Sequence, residues 1–131
     1  MSPNAGTGYL ATSGARRLPA RPIDMMHLAK QALGDPGLEL EILRTFSEAT
    51  SRHFAELEKA DSAPDKLHHL NTLKGASIGV GAWSLAERAH IMQREIRAGA
   101  PIDAEMIEDL RVSVEELTAF IADRIGQAEA D

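Results

Sequence analysis

Cysteine is absent from the 131 residues. That excludes disulfides, thiolate metal sites and cysteine nucleophiles, and it fits a reducing cytoplasm. Aromatic residues amount to 4%, which leaves few platforms for stacking single-stranded nucleic acid. Basic residues are outnumbered, 14 Lys and Arg against 20 Asp and Glu, for a net charge of −6. An acidic chain is repelled by phosphate backbones and anionic lipids, so neither nucleic acid nor a membrane is expected as a partner. No apolar run approaches the roughly 20 residues that span a bilayer. The first residues have no apolar h-region, so no secretory signal is expected. What is present suits one globular domain with a sizeable core: 44% hydrophobic and 26% charged residues.

Residues 1–21 are rich in Gly, Ala, Ser, Thr and Pro, with Arg16, Arg17 and Arg21. They show no period, and they are expected to form a flexible tail preceding a domain over 22–131. The rest reads as helices separated by punctuation. Ile23 to Leu33 is a short helix ended by Gly34. Asp35 caps a second helix, with Pro36 at its first position. Leu43, Phe46, Phe54 and Leu57 form its apolar stripe, and Glu39, Glu41, Arg44, Glu48, Arg52 and Glu56 face water. Ser62, Pro64 and Asp65 open a third helix, stopped by Gly79 and Gly81. Ser84 and Glu87 offer a capping box for a fourth, with Leu85, Ala89, Met92 and Ile96 along one face, ended by Gly99 and Pro101. Asp103 caps a fifth, in which Met106, Leu110, Val114, Leu117, Ile121 and Ile125 share a face. No segment alternates with period two for long enough to make a strand. The expectation is an all-α fold, an antiparallel four-helix bundle with a short additional N-terminal helix across one end.

The third helix carries the most informative segment, His69 to Ser77. With Leu67, Leu70, Leu73 and Ser77 inward and about 100° per residue, Asn71 falls at the edge of the buried stripe or outside it. His68, Lys74, Gly75 and Ile78 are its surface neighbours at −3, +3, +4 and +7. Glycine inside a helix costs about 1 kcal/mol relative to alanine, so Gly75 either leaves room for another surface to approach Asn71 or permits close packing within the chain. Lys74 puts a positive charge beside the same spot, suited to a phosphoryl group.

Asn71-Thr72-Leu73-Lys74-Gly75-Ala76-Ser77, followed by Gly79-Val80-Gly81-Ala82 and Leu85-Ala86-Glu87, resembles the histidine-containing phosphotransfer (HPt) family. That family's signature is His-x-Leu-Lys-Gly followed by small residues. The resemblance covers roughly residues 22–125. It implies a two-component phosphorelay module with no kinase activity and no metal of its own; a bacterial, cytoplasmic monomer that is not an enzyme and holds no cofactor is expected. Such a module docks response-regulator receiver domains or a histidine kinase around an exposed mid-helix histidine. Carried over, the acceptor position is Asn71, the supporting lysine is Lys74, and the small residue admitting the receiver is Gly75, with Ile78 and His68 beside them. Asparagine departs from the signature: its amide nitrogen has its lone pair delocalised into the carbonyl, whereas phosphoryl transfer needs a free pair. The chain therefore reads as a pseudo-phosphotransfer binder, either natural or derived from a histidine-bearing parent; nothing else in it looks engineered, which favours the first.

His68, one turn before Asn71, is the substitute acceptor to consider, but it is offset by about 4.5 Å along the axis, and misplacement of even about 1 Å is costly in catalysis. His69 points to a different face, His90 is solvated, and His27 and His53 are isolated. No metal site is expected: His68 and His69 are adjacent and do not share a face as a His-x-x-x-His pair does. Trp83 reads as a packing residue at a helix junction, and Met25, Met26, Met92 and Met106 as packing residues. The Gly79-Val80-Gly81 break lacks the preceding strand and the spacing of a nucleotide loop. The rival readings are an active phosphotransfer protein, through His68 or in a parent with histidine at 71, and a structural or oligomerising helical bundle.

Overall fold

The computed structural model describes residues 21–130; the expected tail lies, apart from Arg21, outside the described residues. Five helices pack together: α1 (Met25–Gln31), α2 (Pro36–Lys59), α3 (Ala63–Val80), α4 (Trp83–Arg97) and α5 (Ala104–Ala130). No strand occurs among the described residues, so the all-α expectation is met. Contacts between the long helices run in a closed cycle, α2 with α3, α3 with α4, α4 with α5 and α5 with α2, and α1 lies against α2 and α3.

Local chemistry sets the helix starts. Asp35 accepts from the backbone N–H groups of Gly37 and Leu38 and caps α2. Ser62 accepts from Asp65 N–H and caps α3. Asp103 accepts from Met106 N–H at 2.8 Å at the start of α5. Each side-chain oxygen satisfies a donor that the helix cannot pair internally. The expected Ser84–Glu87 capping box does not form. The cap of α4 is Ala82, which makes no side-chain hydrogen bond, and Ser84 is already inside the helix. Ala82 is fully buried, so tertiary packing sets this helix start.

The stops follow left-handed backbone. Gly81 has φ 85°; its N–H reaches Ile78 O at 3.3 Å and Ala82 N–H reaches Ser77 O at 2.8 Å. This is a Schellman pairing. Gly79, expected to share in stopping the helix, lies within α3. At α1 the chain turns left-handed at Leu33, φ 55°, one residue before the expected Gly34. The helix is accordingly shorter than the expected Ile23 to Leu33, and Ile23 is instead a fully buried anchor preceding the Asp24 cap.

One hydrophobic cluster unites all five helices: Leu28 from α1, Leu43, Phe46, Phe54 and Leu57 from α2, Leu70, Leu73 and Val80 from α3, Leu85, Ala89 and Met92 from α4, and Leu110, Val114, Leu117 and Ile121 from α5. The apolar stripes read from the sequence are these residues, with Ile96, Met106 and Ile125 only partly buried. Three polar residues join the interior, Thr50, Ser77 and Gln93. Ion pairs on the outside tie α5 to α2, with Arg44 to Glu129 at 3.0 Å and Arg111 to Glu58. Exposed pairs of this kind contribute little, about 0–1 kcal/mol.

Gly81 also fastens α1. Its carbonyl accepts from Asp24 N–H at 2.9 Å, and a Cβ placed there would stand 3.1 Å from both Asp24 Cβ and Asp24 O. Gly81→Ala should therefore lower unfolding stability by more than the roughly 1–2 kcal/mol of left-handed backbone strain. Leu73→Ala, which opens a cavity in the core, should cost about 2–5 kcal/mol. Urea unfolding checks both; a Gly81→Ala midpoint equal to that of the unsubstituted chain would contradict the anchoring role.

Candidate functional site

Burial of Leu70, Leu73, Ser77 and Val80 fixes the rotation of α3. Leu67, taken as inward, is only half-buried. Asn71, one step beyond Leu70, is consequently exposed in mid-helix, and so are His68, Gly75 and Ile78; Lys74 is half-buried. The structure thus places Asn71 and the four neighbours expected around it on one face of α3. Ile78 is 47% exposed, an apolar residue left at the rim of a polar patch.

Gly75 has an unambiguous environment. A Cβ built on it meets nothing within 4 Å. Close packing within the chain therefore does not account for it, and the space beside Asn71 is open to an outside surface. Gly79, one turn on, is equally open. Together they form a bare strip along α3.

Gln93 is a site residue that the sequence reading missed. It comes from α4, is fully buried, and its Nε2 donates to Asn71 Oδ1 at 3.5 Å, the long end of the hydrogen-bond range. It reaches the exposed carboxamide from beneath. Its position four residues after Ala89 puts it on the α4 apolar stripe, and a polar residue at a stripe position was the available signal. Its Oε1, like Ser77 Oγ and Thr50 Oγ1, is buried without a hydrogen-bond partner.

The histidines depart from expectation. His53 is not isolated: its Nδ1 lies 3.0 Å from His69 Nδ1, and the His68 ring centroid is 4.9 Å from that of His69. His69 does face away from Asn71, towards α2. Burial, and then the neighbouring His69, Arg52 and His68, push the His53 imidazole below its ordinary value of 6.5, against a smaller opposing effect of Glu56. His27 is not isolated either. Its ring stands edge-on to Trp83 at 4.9 Å, and its Nε2 is buried without a partner. Trp83 stands at the α1–α4 junction as expected, donating Nε1–H to Asp24 Oδ2 at 3.1 Å, but it is 46% exposed and is not a buried packing residue. That bond, with the His27 backbone N–H, holds the Asp24 carboxyl below its usual range. His90 is exposed, as expected.

An apolar groove between α2 and α3 is lined by Leu38, Ile42, Phe46, Ala49, Ala76 and Val80. Ala76 and Val80 lie about 140° and 180° around α3 from Asn71, so the groove belongs to a different face. Among the described residues no three His, Cys, Asp or Glu side chains are already arranged to hold a metal ion, and no helix is long and apolar enough to cross a membrane. No protein-family model, curated protein or solved structure matches the chain.

The His53 environment sets a pH dependence. Its folded value lies below the unfolded one, so the unfolded chain takes up the proton first on acidification. The stability held with a neutral ring is lost as pH falls below the unfolded value of about 6.5 and towards the folded one. Unfolding midpoints measured in chelator between pH 7.5 and 5.5 should fall for the unsubstituted chain and fall less for His53→Gln. Equal slopes for the two proteins would show that this ring is not the cause.

Proposed function

We propose that the chain is an HPt-like phosphorelay module that binds a response-regulator receiver domain or a histidine kinase without itself accepting phosphate. The closed cycle of long-helix contacts, with α1 against α2 and α3, fits an antiparallel four-helix bundle with the short helix across one end. The observation that carries the reading is the exposed Asn71 at mid-helix, with Gly75 open to at least 4 Å beside it and Lys74, Ile78 and His68 around it. A glycine inside a helix costs stability relative to alanine, and nothing within the chain takes up the space at Gly75. The glycine then admits a partner's backbone, Lys74 meets acidic or phosphoryl groups, and Ile78 adds apolar contact.

Asn71 keeps the polarity of an acceptor site but offers no nucleophilic nitrogen, so occupancy of this face competes with transfer to a working phosphotransfer protein. The module would act in the cytoplasm, where its partners reside. His68 is exposed as well, which gives a second reading, transfer through His68, its specific test.

The experiment is phosphoryl transfer from a panel of phosphorylated receivers of the source organism, with binding scored in parallel. The unsubstituted chain should bind a receiver and take no acid-labile label, whereas Asn71→His should bind the same receiver and take label. Label on the unsubstituted chain that His68→Ala abolishes would move the acceptor to His68. Binding by neither protein would sink the docking reading and leave a structural or oligomerising bundle. Gly75→Ala separates stability from docking: it should raise unfolding stability by about 1 kcal/mol and weaken receiver binding at least several-fold. A variant that is more stable and binds as well as before would contradict the use assigned to that space.

A further inference from the structure

The side of α3 that faces α2 carries a second cluster, centred on His53 and His69 and sharing only His68 with the Asn71 face. His53 from α2 and His69 from α3 present Nδ1 atoms 3.0 Å apart, their ring centroids 5.3 Å apart. The His68 centroid is 4.9 Å from that of His69 and 6.5 Å from that of His53. We propose that His53 and His69 form a two-imidazole clamp for a borderline divalent transition-metal ion, Zn²⁺, Ni²⁺ or Cu²⁺, with His68 able to swing in as a third donor.

The spacing supports this directly. Two nitrogens each 2.0–2.1 Å from one ion, with an angle of roughly 90–110° between the bonds, stand about 2.9–3.4 Å from one another. The pair is already at that separation, so metal capture requires ring rotation and no helix movement. Without metal, the close Nδ1 contact is satisfied only if one ring carries its proton on Nδ1 and the other presents a lone pair. Chelation needs both lone pairs. One ring therefore exchanges its Nδ1 proton for one on Nε2, both imidazoles stay neutral, and no net proton is released.

An all-imidazole donor set selects against Mg²⁺ and Ca²⁺, which take oxygen ligands. Because three donors are not already convergent, water completes the coordination shell unless His68 turns inward. Arg52 beside His53 opposes the cation and Glu56 on the same helix favours it; Glu56 is shared with Lys59 at 3.5 Å. The clamp residues come one from each of two packed helices, so binding fastens α2 to α3.

The test uses the full chain without any added histidine tag, stripped with chelator and titrated calorimetrically with ZnCl₂ and, in parallel, NiCl₂ and MgCl₂. Zn²⁺ and Ni²⁺ should bind saturably at one ion per chain and raise Tm, and Mg²⁺ should do neither. His53→Gln and His69→Gln should each weaken Zn²⁺ binding by at least about tenfold, His68→Gln by less, and His90→Gln not at all. Absence of saturable Zn²⁺ binding, or equal affinity in the two clamp variants and the unsubstituted chain, overturns the proposal. Imidazole ¹⁵N resonances of the unsubstituted chain decide the matter if a variant fails to fold. Zn²⁺ should shift those of His53 and His69, and shifts confined to His27 or His90 overturn the clamp.

Discussion

Burial of one stripe of α3, Leu70, Leu73, Ser77 and Val80, governs the rest of the structure. A helix has one rotational freedom about its axis, and a buried stripe removes it. Once those four residues face the core, Asn71, Gly75 and Ile78 must face outward, and Ala76 and His69 must face α2. The chemistry of the exposed face is thus a consequence of leucine packing on the hidden one. α3 contacts α1, α2 and α4, so its orientation is determined from three sides.

The ends of α3 are held as firmly as its face. Ser62 supplies the cap at one end, and the Gly81 turn supplies a Schellman pairing at the other. The same turn receives Asp24, which caps α1 and accepts from Trp83 at the start of α4. One left-handed residue therefore joins three helices. Gln93 adds a long lateral contact from α4 to the carboxamide of Asn71, 3.5 Å, from a fully buried side chain to an exposed one. A mid-helix face left open above suits, in the proposed reading, recognition by a surface more than enclosure of a small molecule.

The all-α class and most of the core were legible in the sequence because the apolar residues repeat at helical spacing. The stripes Leu43–Phe46–Phe54–Leu57 and Leu110–Val114–Leu117–Ile121 are buried as periodicity requires. Caps with a side-chain oxygen, Asp35, Ser62 and Asp103, were legible for the same local reason. Where packing outweighs local chemistry, the reading failed. α4 starts at buried Ala82 without using Ser84, and α1 turns at Leu33 ahead of its glycine. The residues expected around Asn71 do form one face, since their spacing is that of one helix. Gln93 and the His53–His69 pair were missed because they depend on contacts between helices, and spacing along one helix says nothing about which neighbour meets it.

In the proposed reading an exposed amide stands in place of a phosphate-accepting imidazole, and recognition is separated from chemistry: the open space beside Asn71 persists while the nucleophile is absent. The central claim is that a receiver binds this face of α3. ¹⁵N-labelled chain titrated with the receiver that binds it, followed by two-dimensional NMR, tests that claim most directly. The account predicts shifts concentrated at Asn71, Lys74, Gly75 and Ile78, with Gln93 following through its contact with Asn71. Shifts confined to α5, or to the Leu38–Ile42 groove, would contradict it.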